Sequence, residues 1–199
     1  MAGDLSWARL TAGAEHTCGI TTANRAYCWG LNSFGSLGDG TTENRSVPTP
    51  VAGNLSFEHV SAGTYHTCGV TTGGLAYCWG RNNAGQFGDR TADGRTTAVA
   101  GGLGFARVSA GNEHTCGVSS DGGGYCWGAN VDGQLGDGTT GARATPTAVA
   151  GSLSFALARA GTSHSCRIAA GGVVYCWGVG APALAREAPA RVAEAPIHA

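Results

Sequence analysis

Residues Gly111 to Thr140 read GNEHTCGVSSDGGGYCWGANVDGQLGDGTT. A β-rich run, HTCGV, meets a Gly-rich turn and returns as YCWG before a long polar loop begins. Short apolar runs separated by Gly-containing turns are the mark of an antiparallel meander. The same order of signals occurs three more times. Leu5, Leu55, Leu103 and Leu153 open four units at intervals of 50, 48 and 50 residues. The Ala-Gly turns fall at Gly13, Gly63, Gly111 and Gly161, and the histidines at His16, His66, His114 and His164. The Tyr-Cys-Trp-Gly runs begin at Tyr27, Tyr77, Tyr125 and Tyr175. A repeat of about fifty residues with three or four short strands is one propeller blade.

The repeats run over residues 5–54, 55–102, 103–152 and 153–199, within one domain that spans the chain. The expected fold is all-β: a β-propeller of four blades, or half of an eight-bladed ring formed by self-association. One blade cannot bury both of its faces, so neighbours must stack and the end units are vulnerable. The repeated Tyr and Trp are expected to pack between blades, as large amphipathic rings. In the fourth unit, Trp177 to Pro189 spans 12 positions, where Trp29 to Pro48 and Trp127 to Pro146 span 19. Pro189 and Val192 keep the spacing of Pro146 and Val149, so a closing strand is expected there as well.

Composition agrees with many tight turns around a packed core. Gly accounts for 35 of 199 residues, charged residues for only 13%, and five Trp, five Tyr and five Phe supply core rings. Lysine is absent, and the formal net charge of −1 offers no electrostatic reason for nucleic acid or an anionic membrane. No apolar run reaches the length of a membrane span. The stretch MAGDLSWARL lacks the charged head and apolar core of a signal peptide.

All eight cysteines lie in the repeats, ten residues apart: Cys18 and Cys28, Cys68 and Cys78, Cys116 and Cys126, Cys166 and Cys176. A three-residue turn over Ser120, Asp121 and Gly122 sets Cys116 directly opposite Cys126, close to the disulfide range. A bridge within each blade is the expected state. Reduced, buried thiols and a zinc site built from His16, Cys18 and Cys28 are the competing readings. The histidine is expected to hydrogen-bond backbone within its own blade. Oxidised pairs would place the chain outside the cytosol or in a periplasm; a native start at Met1 would place it in the cytoplasm.

The joined motif AG-x-x-H-T/S-x-G-V/I, then Y-x-W-G-x-N-x-x-G-Q-L-G-D-G-T-T, resembles the regulator of chromosome condensation repeat over nearly the whole chain. The resemblance implies blades of four antiparallel strands. It also brings two functions seen in that family, guanine-nucleotide exchange and inhibition of a secreted enzyme.

No catalytic constellation stands apart from the repeat, and no enzymatic activity, metal or other cofactor is expected. Glu15 and Glu113 precede His16 and His114, but adjacent strand residues point to opposite faces. The Asp39, Asp89 and Asp137 loops lack the alternating carboxylates of a calcium loop and read as turns. No G-K-S/T phosphate loop and no G-x-S-x-G elbow occurs. The expected function is a non-enzymatic protein-binding scaffold with an unidentified protein partner, or a self-assembling structural module that forms homo-oligomers. Phe34, Arg45, Arg81, Phe87 and Arg143 lie in or near the loops and break the repeat symmetry, which marks them as candidate contacts.

Overall fold

Each repeat folds into a four-stranded antiparallel sheet. The computed structural model describes residues 5–90, 97–151, 154–169, 171–180 and 189–191. Blade 1 is built from β1 (Trp7–Ala12), β2 (His16–Thr21), β3 (Ala26–Gly30) and β4 (Arg45–Pro50). Blade 2 holds β5 (Phe57–Ala62), β6 (His66–Thr71), β7 (Ala76–Gly80) and the short β8 (Thr97–Ala98). Blade 3 holds β9 (Phe105–Ala110), β10 (His114–Ser119), β11 (Gly124–Gly128) and β12 (Arg143–Ala148). Blade 4 holds β13 (Phe155–Ala160), β14 (His164–Ala169), β15 (Val174–Gly178) and β16 (Ala190–Arg191). In every blade the strands neighbour one another in chain order, the up-and-down order of a propeller blade. No helix occurs among the described residues.

The tight turn fixes the register of each central hairpin. Gly122, with φ +88°, donates its N–H to the Ser119 carbonyl, and the Ser119 N–H reaches the Gly123 carbonyl. Cys116 then faces Cys126 across the pair, and the same count sets Cys18 opposite Cys28, Cys68 opposite Cys78 and Cys166 opposite Cys176. All four pairs are disulfide-bonded. The zinc reading falls with them, because the two sulfurs of each would-be site bond each other. The closing strand of blade 4 is present, pairing Tyr175 with Arg191 and Cys176 with Ala190. Pro189 leads into it, while Val192 lies outside the described residues.

Alternation along β2, β6 and β10 sends His, Cys and Ile or Val toward the following blade and the hydroxyl residue toward the preceding one. His16 Nε2 meets Thr67 Oγ1 at 2.7 Å, His66 meets Thr115 at 2.9 Å, and His114 meets Ser165 Oγ at 2.9 Å. Each hydroxyl donates onward to a loop carbonyl, Ser36, Gln86 or Gln134, so the imidazole Nε2–H is the donor to the hydroxyl. The histidine therefore ties one blade to the next through a side chain. This corrects the expectation of a backbone bond within the blade; the strand's alternation turns the ring outward.

The cores lie between the blades. Trp79, Trp127 and Trp177 are fully buried, each under the loop of the blade before it: Gly38 backs onto Trp79, Gly88 onto Trp127 and Gly136 onto Trp177. Leu37, Phe87 and Leu135 come from the same loops and fill the same layers. Trp29 of blade 1 is only half-buried.

The interblade histidines carry a pH signature. Burial pushes His16 and His114 down to about 4 and His66 to about 3. Nδ1 of His66 and of His114 makes no hydrogen bond, and burial outweighs the nearby backbone groups of Asn112 and His164 that favour the charged rings. Free histidine titrates near 6.5, so below that pH the unfolded chain binds protons that the folded chain refuses. Stability is then complete above about pH 6.5 and falls as the pH drops toward 4, by about 1.4 kcal/mol per pH unit for each histidine. For the three together the slope is about 4 kcal/mol per pH unit. Burial also holds His59 down to about 4, so it adds to the same slope. Urea unfolding with the disulfides intact should show the midpoint dropping from pH 6.5 to pH 5, and His66→Gln should remove about a quarter of that slope.

Candidate functional site

Of the five loop residues singled out in the sequence, three are structural. Phe87 is fully buried in the position of Leu37 and Leu135, where it packs between blades 2 and 3. It is no surface contact: a Phe in place of Leu is a variation of the core. Arg45 and Arg143 stand at equivalent positions, six residues after Asp39 and Asp137. They clasp those carboxylates at 2.8 and 2.7 Å. They do not break the repeat; they obey it.

The clasp closes the polar loop. Asp39 Oδ1 accepts from the Thr41 N–H and hydroxyl, while Asn32, fully buried, donates to the carbonyls of Thr41 and Glu43 and accepts from the Leu37 N–H. Asn130, Asp137 and Thr139 repeat the arrangement in blade 3. Burial acts to raise the carboxyls of Asp39 and Asp137, but the bonds from Thr and Arg outweigh it and hold both below the usual carboxylate range. These loops are rigid platforms. The buried Asn was not singled out in the sequence, although it recurs at Asn32, Asn82 and Asn130.

Phe34 and Arg81 are different. Phe34 leaves the blade 1 loop 44% exposed and meets Tyr65 of blade 2 edge-on, with ring centroids 5.3 Å apart. The Arg81 guanidinium lies 5.4 Å from the Phe34 centroid and 5.3 Å from that of Tyr65. Its Nη2 reaches Glu113 of blade 3 at 3.4 Å. Three blades thus contribute to one surface cluster. Neither Tyr65 nor Glu113 had been joined to it, since 31 positions separate Phe34 from Tyr65 and 32 separate Arg81 from Glu113. The signal available was the odd residue at each repeat position: Tyr65 stands where Glu15, Glu113 and Ser163 stand elsewhere.

Two profiles of the regulator of chromosome condensation (RCC1) repeat match the chain. One covers residues 24–70 and 121–168, the other 7–36, 57–86 and 105–134. Together they reach most of the chain. It belongs to the RCC1 repeat family. Among solved structures, human WBSCR16 superposes with a TM-score of 0.85 at 18% identity, over 98% of this chain and 55% of that one. The yeast RCC1 protein Prp20, in its complex with Kap60, gives 0.82 at 22%, over 98% of this chain and 50% of that one. Prp20p from Saccharomyces cerevisiae, in a structure described with its binding properties to Gsp1p and histones, gives 0.82 at 21%, over 98% and 52%. The chain spans about half the length of these RCC1-type propellers.

One further RCC1-repeat position departs from the others. Gly19, Gly69 and Gly117 are replaced by Arg167 in blade 4, and the guanidinium lies buried against blade 3. Its Nη2 donates to the Gly117 and Tyr125 carbonyls at 3.2 and 2.6 Å, and it sits 4.8 Å from the Phe155 ring centroid. Burial pulls its pKa down to about 9, and Nε and Nη1 have no hydrogen-bond partner. Gly124 makes the room: a Cβ there would lie 1.5 Å from Nη1, whereas blades 1 and 2 carry Ala26 and Ala76. Gly124→Ala should therefore cost about 3 kcal/mol, the upper range for overpacking. The pair Gly124→Ala with Arg167→Gly restores the pattern of the earlier blades and should unfold no more easily than the parent protein. The denaturant midpoints of the four proteins in this double-mutant cycle measure the coupling.

Proposed function

We propose that the chain is a non-enzymatic, protein-binding propeller scaffold whose contact face is the loop surface around Phe34, Tyr65 and Arg81. The observation that carries this reading is the cation–π cluster itself: an exposed Phe, a half-exposed Tyr and an Arg, gathered from different blades and absent at the equivalent positions. Aromatic rings and Arg dominate the residues that anchor protein interfaces, because each offers a large contact area at small entropic cost. The rigid Asn–Asp–Arg loops beneath hold the cluster in place before a partner arrives, which lowers the ordering cost of binding. The named relatives support a protein partner: Prp20 is described bound to Kap60, and in terms of its binding to Gsp1p and histones. Support for the non-enzymatic reading comes from His16, His66 and His114, each committed to an interblade bond, and from the cysteines, all paired.

A photo-crosslinking side chain at position 34 tests the proposal. It should capture a protein partner saturably, while the same side chain at Leu75, 48% exposed at the opposite end of the β6–β7 hairpin from Tyr65 and Arg81, should not. Phe34→Ala and Arg81→Ala should each weaken the captured complex by at least about thirtyfold, the size of an interface hot spot. Equal capture at both positions, or unchanged affinity in both variants, would overturn it.

A further inference from the structure

β1 packs beside β5, β5 beside β9 and β9 beside β13, which puts the first strand of every blade next to the propeller axis. The last residue but one of these strands is Thr11, Ser61, Ser109 and Arg159. Thr11 Oγ1 accepts the Ala62 N–H at 3.2 Å, and the Ser61 and Ser109 hydroxyls accept the Ala110 and Ala160 N–H at 3.1 Å. All three bonds cross from one described blade to the next. Each uses a hydroxyl oxygen and leaves the hydroxyl hydrogen without an acceptor among the described residues.

A cavity of about 310 Å³ opens over these hydroxyls and takes its wall from all four blades. Arg159 lines it in place of a fourth hydroxyl. Its Nη1 donates to the Ala158 carbonyl at 3.3 Å, which leaves most of the guanidinium N–H groups uncommitted among the described residues. His59 adds an imidazole whose Nδ1 is buried without a hydrogen-bond partner. Burial, and after it the charges of Arg107, Arg159 and Arg9, hold that ring neutral to well below its ordinary range. Three cations thus act on one point. None of the three is in an ion pair among the described residues, whose pairs belong to Arg45, Arg81 and Arg143. No carboxylate lines the cavity, and Glu58, next to His59 on β5, is exposed outside it.

A recess that gathers donors and positive charge, and supplies no negative charge of its own, attracts an anion. Its donors arrive from separate blades around an axis. That arrangement suits a tetrahedral ion, with oxygens in every direction, better than a flat carboxylate that pairs edge to edge with one arginine. We infer that the cavity is an oxyanion site for an ion of the phosphate class, held by the hydroxyls of Thr11, Ser61 and Ser109 and by the Arg159 guanidinium. The neutral His59 ring joins them as a donor, in the tautomer that carries its proton on Nδ1. Arg9 and Arg107 contribute field rather than contact.

Titration calorimetry of inorganic phosphate into the full chain, against chloride at equal ionic strength, tests this. Phosphate binding should saturate at one ion per chain, and chloride should not reproduce it. Arg159→Gln should weaken binding at least about tenfold, the loss of one charge-assisted hydrogen bond, with an unchanged circular dichroism spectrum. Arg25→Gln, at an arginine bonded to Asn54 and outside the cavity, should leave the affinity as it is. So should Phe34→Ala, which separates this site from the loop face. In nuclear magnetic resonance spectra the His59 ring signals should move as phosphate saturates, while those of His66 and His114 stay. Absence of saturable phosphate binding would overturn the inference. So would equal weakening by Arg25→Gln and Arg159→Gln, or saturation that leaves the His59 signals unmoved.

Discussion

Reduction of the four disulfides is expected to unfold this protein at 25 °C. Each bridge closes a loop between cysteines ten positions apart. In the chain-entropy account such a loop contributes about 2.5 kcal/mol by restricting the unfolded state, or about 10 kcal/mol for four. That sum is comparable to the whole stability of a typical domain, about 5–15 kcal/mol. The blades are small sheets with their cores between them, so no single blade has apolar burial in reserve. Trp79, Trp127 and Trp177 are fully buried and report the change directly. Under a strong reductant their fluorescence should shift to the red as all eight thiols become open to alkylation. A reduced, fully alkylated chain with unshifted emission would show that packing alone holds the blades. The single pair change Cys68→Ala with Cys78→Ala should lower the urea stability by about 3 kcal/mol, most of it from the lost loop constraint.

Gly63→Ala is expected to be nearly as damaging as a core deletion, although it adds one methyl group. The Cβ would lie 2.3 Å from the Gly111 carbonyl oxygen and 3.0 Å from the Ala110 Cβ. Both neighbours belong to the next blade. The oxygen is backbone and already accepts the Thr64 N–H, so no flexible side chain can yield. The blades must separate, with loss of that bond and of the nearby His66–Thr115 contact, at a cost of about 3 kcal/mol. Gly111→Ala meets the Gly161 carbonyl at 2.5 Å and should behave alike. Gly161→Ala is the internal control. Its nearest contacts would be the exposed His164 ring of the same blade, a side chain rather than backbone, so the cost should stay below about 1 kcal/mol. Equal losses at Gly63 and Gly161 in urea unfolding would show that the close approach between blades does not limit stability.

The hairpin register was legible because it is local. A turn of three residues and the period of two along a strand together decide which side chains face each other, and Cys116 opposite Cys126 follows from counting. The loop residues were harder to read. Phe87 looked exceptional because its type differs from Leu37 and Leu135, yet a fully buried layer tolerates either side chain. Arg45 and Arg143 looked exceptional because each sits among dissimilar neighbours, and only their common distance to Asp39 and Asp137 shows them to be equivalent. Arg167 is an odd residue as well, but its explanation lies in Gly124, 43 positions away in another blade.

The sequence by itself determined that Gly111 to Thr140 is part of a blade, that there are four such blades, and that two cysteines face each other within each one. Those outcomes rest on interactions between residues at most about a dozen apart, where turn geometry leaves little choice. Only the tertiary structure decided that the histidines bond the next blade, that the two cysteines of each blade are joined, and where the rings of Phe34 and Tyr65 meet Arg81. The histidine and ring contacts join residues of different blades, 51 positions apart for His16 and Thr67. At that separation the partner is chosen by how one rigid sheet packs on the next.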